Sequence, residues 1–220
     1  VSAGTFAPEA PRDCPLCPRL VEFREEWRAK EPDWFNAPVP SFGAEDCRLL
    51  VLGLAPGLRG ANRTGRPFTG DWAGDLLYPT LQKYGFAKGE YDARPDDGLS
   101  LTDCMITNAV RCVPPQNKPT GPEAKTCRNY LGARLEALPR LQIIVALGKI
   151  AHDNALATLG YKLSAKKFAH AAEHELEGPN GPLLMIDSYH CSRYNTNTGR
   201  LTEAMFHDVF EKAKKRMESA

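Results

Sequence analysis

At 220 residues, 42% hydrophobic and 25% charged, with a net charge of +1, the chain has the make-up of one globular domain and not of a disordered or polybasic protein. Its 18 glycines and 18 prolines are scattered throughout, which excludes a coiled coil, and its longest apolar stretches, around residues 49–56 and 143–147, are far too short to span a bilayer. No basic start followed by an apolar run opens the chain, so a cytoplasmic, reducing location is expected, in which thiols serve as ligands, catalysts or core residues.

The first 45 residues are polar and rich in proline. Within them Leu20, Phe23 and Trp27 recur at helical spacing and predict a short helix over 20–30. Residues 48–55 read as a buried strand that runs into a glycine-rich turn over 53–60 and a long loop to Asp71. A helix over 74–83 follows. Residues 105–110 form a second buried strand, and Gly121-Pro122 opens a helix to 138. A third strand covers 141–148, with a helix over 149–159. A fourth strand covers 183–187, and a charged amphipathic helix over 201–217 closes the chain. Apolar strands alternating with helices predict an α/β fold, a parallel four-stranded sheet with helices on both faces. Ligands of such sheets bind beyond the carboxyl ends of the strands. The segments there, 53–71, 108–115, Gly148 and 189–199, are also the richest in Gly, Asn, His and Arg.

Seven cysteines are too few for a disulfide scaffold. Cys14 and Cys17 form a CxxC, and Cys112 and Cys127 stand far downstream with 14 residues between them. Four thiolates of this kind select zinc or an iron–sulfur cluster, and spacing does not choose between them. Either metal would tie the proline-rich segment to the chain after the second strand. Cys47 and Cys104 begin strands and read as core thiols. Cys191 follows His190 and raises a Cys–His pair as a minor reading, disfavoured because adjacent residues seldom serve as nucleophile and base.

Residues 53–71 hold five glycines, three arginines and two prolines in 19 positions. Glycines allow a ligand close to the backbone, and free amides with arginines suit phosphate. Yet no Gly-Lys-Ser/Thr closes the loop, so it is not a Walker motif, and it is not GxGxxG. A loop of this length in a compact domain is usually functional.

This stretch, GLAPGLRGANRTGRPFTGD, resembles the first signature of the type-5 uracil-DNA glycosylases. TNAVRCVPPQNKP at 107–119 resembles the segment after the second strand in the cluster-bearing types 4 and 5, and HCSRYNTNTGRLT at 190–202 resembles their second signature. With the four cysteines, the resemblance runs from about residue 14 to 210. It implies a three-layer α/β/α sandwich, a single domain over 1–220 whose segment 1–45 is held by the metal, and a [4Fe-4S] cluster on Cys14, Cys17, Cys112 and Cys127. Two departures stand out. Cys191 replaces the proline of the usual His-Pro-Ser, which leaves the loop less constrained. Leu54 stands where type-4 relatives carry Glu, which points to type 5 and to weaker restriction to uracil.

The implied activity is a monofunctional hydrolysis. It excises uracil, and with it hypoxanthine or xanthine, from DNA that carries deaminated bases. A base inside a duplex is out of reach and must be everted, at a cost of a few kcal/mol. Phe68 would stack on it, and Asn108 would read its edge with a donor and an acceptor. Gly53, Leu54, Ala55 and Gly70 would line the base pocket. Asp71 would stabilise the cationic sugar and orient water, with Asp75 as runner-up; a mere helix cap is the plain alternative for Asp71. His190 would donate to the departing base. Arg63, Arg66, Ser192, Arg193, Tyr194 and Asn195 would contact DNA, with Arg193 or Tyr194 filling the vacated space, and Lys118 would reach a phosphate. A monomer is expected. Two other classes compete: a noncatalytic damaged-DNA or single-strand binding module, and a small-molecule transferase using the glycine-rich loop. The missing Walker lysine and the four cysteines count against the transferase.

Overall fold

The computed structural model describes residues 6–219; residues 1–5 of the expected N-terminal segment, and residue 220, lie outside the described residues. In chain order the strands are β1 (Phe42–Gly43), β2 (Leu49–Gly53), β3 (Ala87–Lys88), β4 (Ser100–Leu101), β5 (Cys104–Asn108), β6 (Ile143–Leu147), β7 (Glu173–Gly178) and β8 (Gly181–Ser188). The α-helices are α1 (Pro18–Lys30), α2 (Ala61–Thr64), α3 (Trp72–Lys83), α4 (Gly121–Glu136), α5 (Lys149–Thr158), α6 (Arg193–Asn197) and α7 (Glu203–Glu218).

The four expected strands are β2, β5, β6 and β8. They pair in parallel in the order β5-β2-β6-β8, with Val51 opposite both Ile106 and Val145. The sheet has six strands and not four. Both edges are antiparallel: β1 on β5 and β7 on β8. β1 is two residues long, below the reach of any periodicity. β7, Glu-His-Glu-Leu-Glu-Gly, alternates glutamates outward with His174 and Leu176 inward, so its charge conceals a strand. Charged residues on an edge discourage pairing with another chain.

Successive residues of the parallel strands point to opposite faces, and both faces are covered. Leu49, Val51, Ile106 and Val145 pack under Leu77 and Leu81 of α3 and Phe206 and Phe210 of α7. Leu50, Leu52, Ile144 and Met185 pack under Leu131 and Leu135 of α4 and Ala155 and Leu156 of α5. This is the expected three-layer α/β/α sandwich. Cys47 and Cys104 are fully buried in it, as core thiols should be, and burial holds Cys47 up at about 12.

The N-terminal segment docks by more than its cysteines. Arg19 of α1 makes a bidentate pair with Glu123 at 2.7 Å through both nitrogens, and Glu123 also closes a capping box with Thr120 at the start of α4. Glu9 bridges to Arg134 at 2.7 Å and to Arg111 at 3.2 Å. No helix among the described residues is long and apolar enough to cross a membrane.

Candidate functional site

The carboxyl ends of β2, β5 and β8 open into a cleft of about 400 Å³. Phe68, Asp71, Asn108 and His190 all line it, joined by Leu54 and Ala55. Four side chains drawn from three distant stretches therefore meet in one place.

Asn108 ends β5. It is 3% exposed, and its Oδ1 is a buried acceptor without a partner among the described residues. An orphaned buried acceptor is costly unless a ligand satisfies it. Gly53, at the end of β2, makes room for it: a Cβ there would come within 2.3 Å of Asn108 Oδ1 and 2.6 Å of Phe68 Cζ. Gly53 thus shapes the pocket by lacking a side chain.

Phe68 takes a left-handed backbone, φ 52°, which a bulky residue adopts only under constraint. The constraint is visible. Gly74 packs so closely that a Cβ there would fall 1.9 Å from the Phe68 carbonyl oxygen, and the Tyr78 hydroxyl donates to the preceding Pro67 carbonyl at 2.6 Å. The ring ends 6.1 Å from the His190 ring, tilted by 31°.

Asp71 is the N-cap of α3, accepting from the Gly74 amide at 3.2 Å through Oδ1. The cap is real, and it leaves the other oxygen to the cleft. Oδ2 lies so near the glycine-rich turn that a Cβ on Gly60 would approach it to 2.5 Å. Burial raises the Asp71 pKa above its ordinary value of 3.8, with the Asp75 charge adding to it. Asp75 itself is exposed on α3, outside the cleft lining. Burial drops His190 to about 4, so its imidazole is neutral near pH 7. Cys191 is fully buried and its thiol is pushed far up by burial and by the Asp71 charge, which counts against a thiolate nucleophile and against the Cys–His pairing.

The rim is more mixed. Ser192 caps α6, accepting from the Asn195 amide, and lines the cleft together with Arg193. Tyr194 projects 72% exposed. Arg63 and Lys118 are exposed. Two expectations need correction, those for Arg66 and Gly70. Arg66 is turned inward: it is 4% exposed, pairs with Asp97 at 2.7 and 2.8 Å, and sits over the rings of Phe42, Tyr78 and Tyr91, so no phosphate reaches it. Asn195, half-buried at the rim, donates to the His190 carbonyl at 2.8 Å, a brace for the loop that is compatible with a DNA contact. Gly70 faces Arg63, 2.9 Å from where its Cβ would be, and not the base pocket.

Among the cleft residues that the sequence reading did not single out, two carry polar or aromatic side chains. Trp72 begins α3 at the rim, 46% exposed. Asn117 reaches the cleft from a left-handed position, φ 56°. Asn in a Pro-flanked turn tolerates that conformation, and this was the one signal available for it.

Cys14, Cys17, Cys112 and Cys127 line a single apolar pocket between α1 and α4. The Arg111 amide donates to Cys127 Sγ at 3.2 Å, and Cys14 Sγ meets the Tyr130 hydroxyl at 3.5 Å. Burial lifts Cys112 to about 12 and Cys127 to about 11, each raised further by the neighbouring sulfurs. Two buried guanidinium groups, Arg24 and Arg111, flank the sulfurs, each with an unpartnered Nε among the described residues. Positive charge beside clustered thiols is what a bound anionic centre needs. Zinc bonds of about 2.3 Å in a tetrahedron would place the sulfurs under about 4 Å apart. Among the described residues no three of the four come within 4.8 Å of one another.

The three groups that do lie that close are His152, His174 and Asp187. His152 Nδ1 and His174 Nε2 donate to the two Asp187 oxygens at 2.7 and 2.9 Å, and the Ala169 amide adds a bond at 3.3 Å. The carboxylate is spent on these donors, and the set braces β8 three residues before His190.

A family model of the uracil DNA glycosylase superfamily matches residues 40–214. The type-5 uracil-DNA glycosylase of Thermus thermophilus is 47% identical over 208 residues, 92% of this chain and 93% of that protein. The type-5 uracil-DNA glycosylase of Mycobacterium tuberculosis is 42% identical over 211 residues, 92% and 77% of the two chains. The type-4 uracil-DNA glycosylase of Archaeoglobus fulgidus is more distant, at 37% over 153 residues, 69% of each.

Proposed function

The chain belongs to the uracil-DNA glycosylase superfamily, and from that premise we propose that it is a monofunctional hydrolase that everts uracil from DNA and cuts its N-glycosidic bond. The observation that carries this reading is the convergence of Asn108, Phe68, Asp71 and His190 on one cleft. The cleft is complete within one chain, so a monomer suffices. The substrate is DNA bearing uracil; Leu54 in the pocket leaves it open to other deaminated bases, hypoxanthine and xanthine among them.

The everted base enters against Phe68, whose ring supplies a stacking face worth roughly 1–3 kcal/mol. The orphaned Asn108 Oδ1 accepts from a base N–H, and its amide nitrogen donates to a neighbouring carbonyl. Bond breaking leaves positive charge on the sugar and negative charge on the base. The Asp71 carboxylate, held by its own helix cap, faces the first and orients the attacking water. Neutral His190 donates an N–H to the departing base; because it is uncharged beforehand, its full dipole acts on charge that develops during the reaction. No lysine is among the residues lining the cleft, which supports water as nucleophile over a Schiff base. Borohydride should therefore trap no covalent complex with DNA.

The four cysteines would hold a [4Fe-4S] cluster. All four line one apolar pocket, and the motifs around them resemble those of the cluster-bearing types, which supports a cluster over a single zinc ion. The cluster would supply a rigid cross-link between α1 and the chain after β5.

A uracil-containing oligonucleotide incubated with the chain and then treated with alkali should break at the uracil. Tight binding without breakage would favour the noncatalytic binding module, which the exposed rim also fits.

A further inference from the structure

We propose that Trp72, backed by Arg193, is a stacking platform for a nucleobase flanking the everted nucleotide. The inference rests on the glycosylase reading of the cleft and adds a binding subsite to it. Trp72 lies immediately after Asp71 and lines the same cleft, yet leaves 46% of its surface open. The ring is held in place: its Nε1–H donates to Thr196 Oγ1 at 2.9 Å, joining the end of the glycine-rich loop to α6. The Arg193 guanidinium sits 5.4 Å from the ring centroid, so the indole carries a cation against it. A fixed aromatic with an adjoining cation is the pairing that holds unpaired bases regardless of sequence. Evicting one base from the stack exposes the faces of its neighbours, and Trp72 stands beside the opening through which that base passes.

Two roles for the indole are separable, a platform for a base and a strut between loops. Trp72→Ala removes both, Trp72→Phe keeps a ring without the hydrogen bond, and Thr196→Val removes the bond and keeps the indole. The probe is a uracil-free thymidine oligonucleotide with a terminal fluorescein; affinity on the full chain is read by fluorescence anisotropy of that label for every variant, with tryptophan quenching read alongside for the chains that keep Trp72. Trp27 and Trp34, stacked on each other at 5.4 Å, supply a constant background. The wild-type chain should show quenching on titration. Trp72→Ala should bind about tenfold more weakly. Trp72→Phe and Thr196→Val should bind within about threefold of wild type. On uracil-containing substrate, Trp72→Ala should raise KM and spare kcat. Unchanged oligonucleotide affinity in Trp72→Ala overturns the platform. Losses in Trp72→Phe and Thr196→Val as large as in Trp72→Ala also overturn it, leaving the strut. A wild-type chain that cannot excise uracil would refute the glycosylase reading instead, and the fluorescence titration would still decide the platform.

Discussion

Asp71 caps a helix, and in the proposed reaction it would also serve as the catalytic carboxylate, two duties that make opposite demands on stability. As a cap it needs an acceptor; as a catalytic group it needs a charge, and burial penalises that charge. Its folded pKa lies above the ordinary value, so the folded protein holds this proton more tightly than the unfolded chain does. Its contribution to stability is therefore unfavourable above that pKa and improves as pH falls through it. Asp71→Asn keeps a good cap and removes the charge. Turnover should fall on the order of a hundredfold to ten-thousandfold, while the melting temperature near pH 7 stays level or rises; a large drop in melting temperature would make Asp71 structural. In the wild type, the acid limb of the pH–rate profile should lie above the ordinary carboxylate value. His190, lowered to about 4, should add no step between pH 6 and 8. A titration in that window that His190→Gln abolishes would show the imidazole to be less buried than described. Gly53→Ala tests the pocket's shape, because its new methyl would strike both Asn108 and Phe68. Uracil excision should collapse in that variant, and wild-type rates would mean that neither side chain sits where the cleft needs it. Residues on motif positions at strand ends were legible from the sequence. Arg66 was not, because its partner Asp97 and the rings beneath it come from elsewhere in the chain.

Among the elements, the strands whose every residue is buried declared themselves by composition: β2, β5 and β6. The edges did not. β1 is too short to carry a pattern, and β7 hides its alternation under glutamates, so the sheet looked narrower than it is. β7 matters to the site because it delivers His174 to Asp187, and through that carboxylate to β8 and the loop of His190. Two imidazoles held by one buried carboxylate form a brace that no single segment reveals. Asp187→Ala would leave both rings without their acceptor in the interior. The expected cost is on the order of 3 kcal/mol, measured by denaturant unfolding, with excision impaired even at temperatures where the variant is folded. Unchanged stability would show that the brace is dispensable.

For the whole molecule, the N-terminal segment is held by the Arg19–Glu123 and Glu9–Arg134 pairs, and the proposed cluster on the four cysteines of one pocket would fasten it a second time. The sequence placed the cysteines as a set; their spacing left zinc and a cluster open, and the resemblance to the cluster-bearing types implied [4Fe-4S]. The structure adds that the four line one apolar pocket. The purified chain should contain iron and acid-labile sulfide in equal amounts and little zinc. Cys112→Ala should lose both and become sensitive to proteolysis before residue 45; zinc as the dominant metal would overturn the cluster. The sandwich was legible at this scale because alternation of strand and helix is a property of the entire chain. The meeting of Phe68, Asp71, Asn108 and His190 depended on the parallel order β5-β2-β6-β8, which brings three strand ends to one edge. That meeting is tested most directly by measuring abasic-site formation in a duplex with a single uracil, using the wild-type chain beside Asp71→Asn. The expected result is alkali-labile breakage at the uracil by the wild type and almost none by the variant, with both binding the duplex. Bound but intact uracil in the wild-type reaction would contradict it.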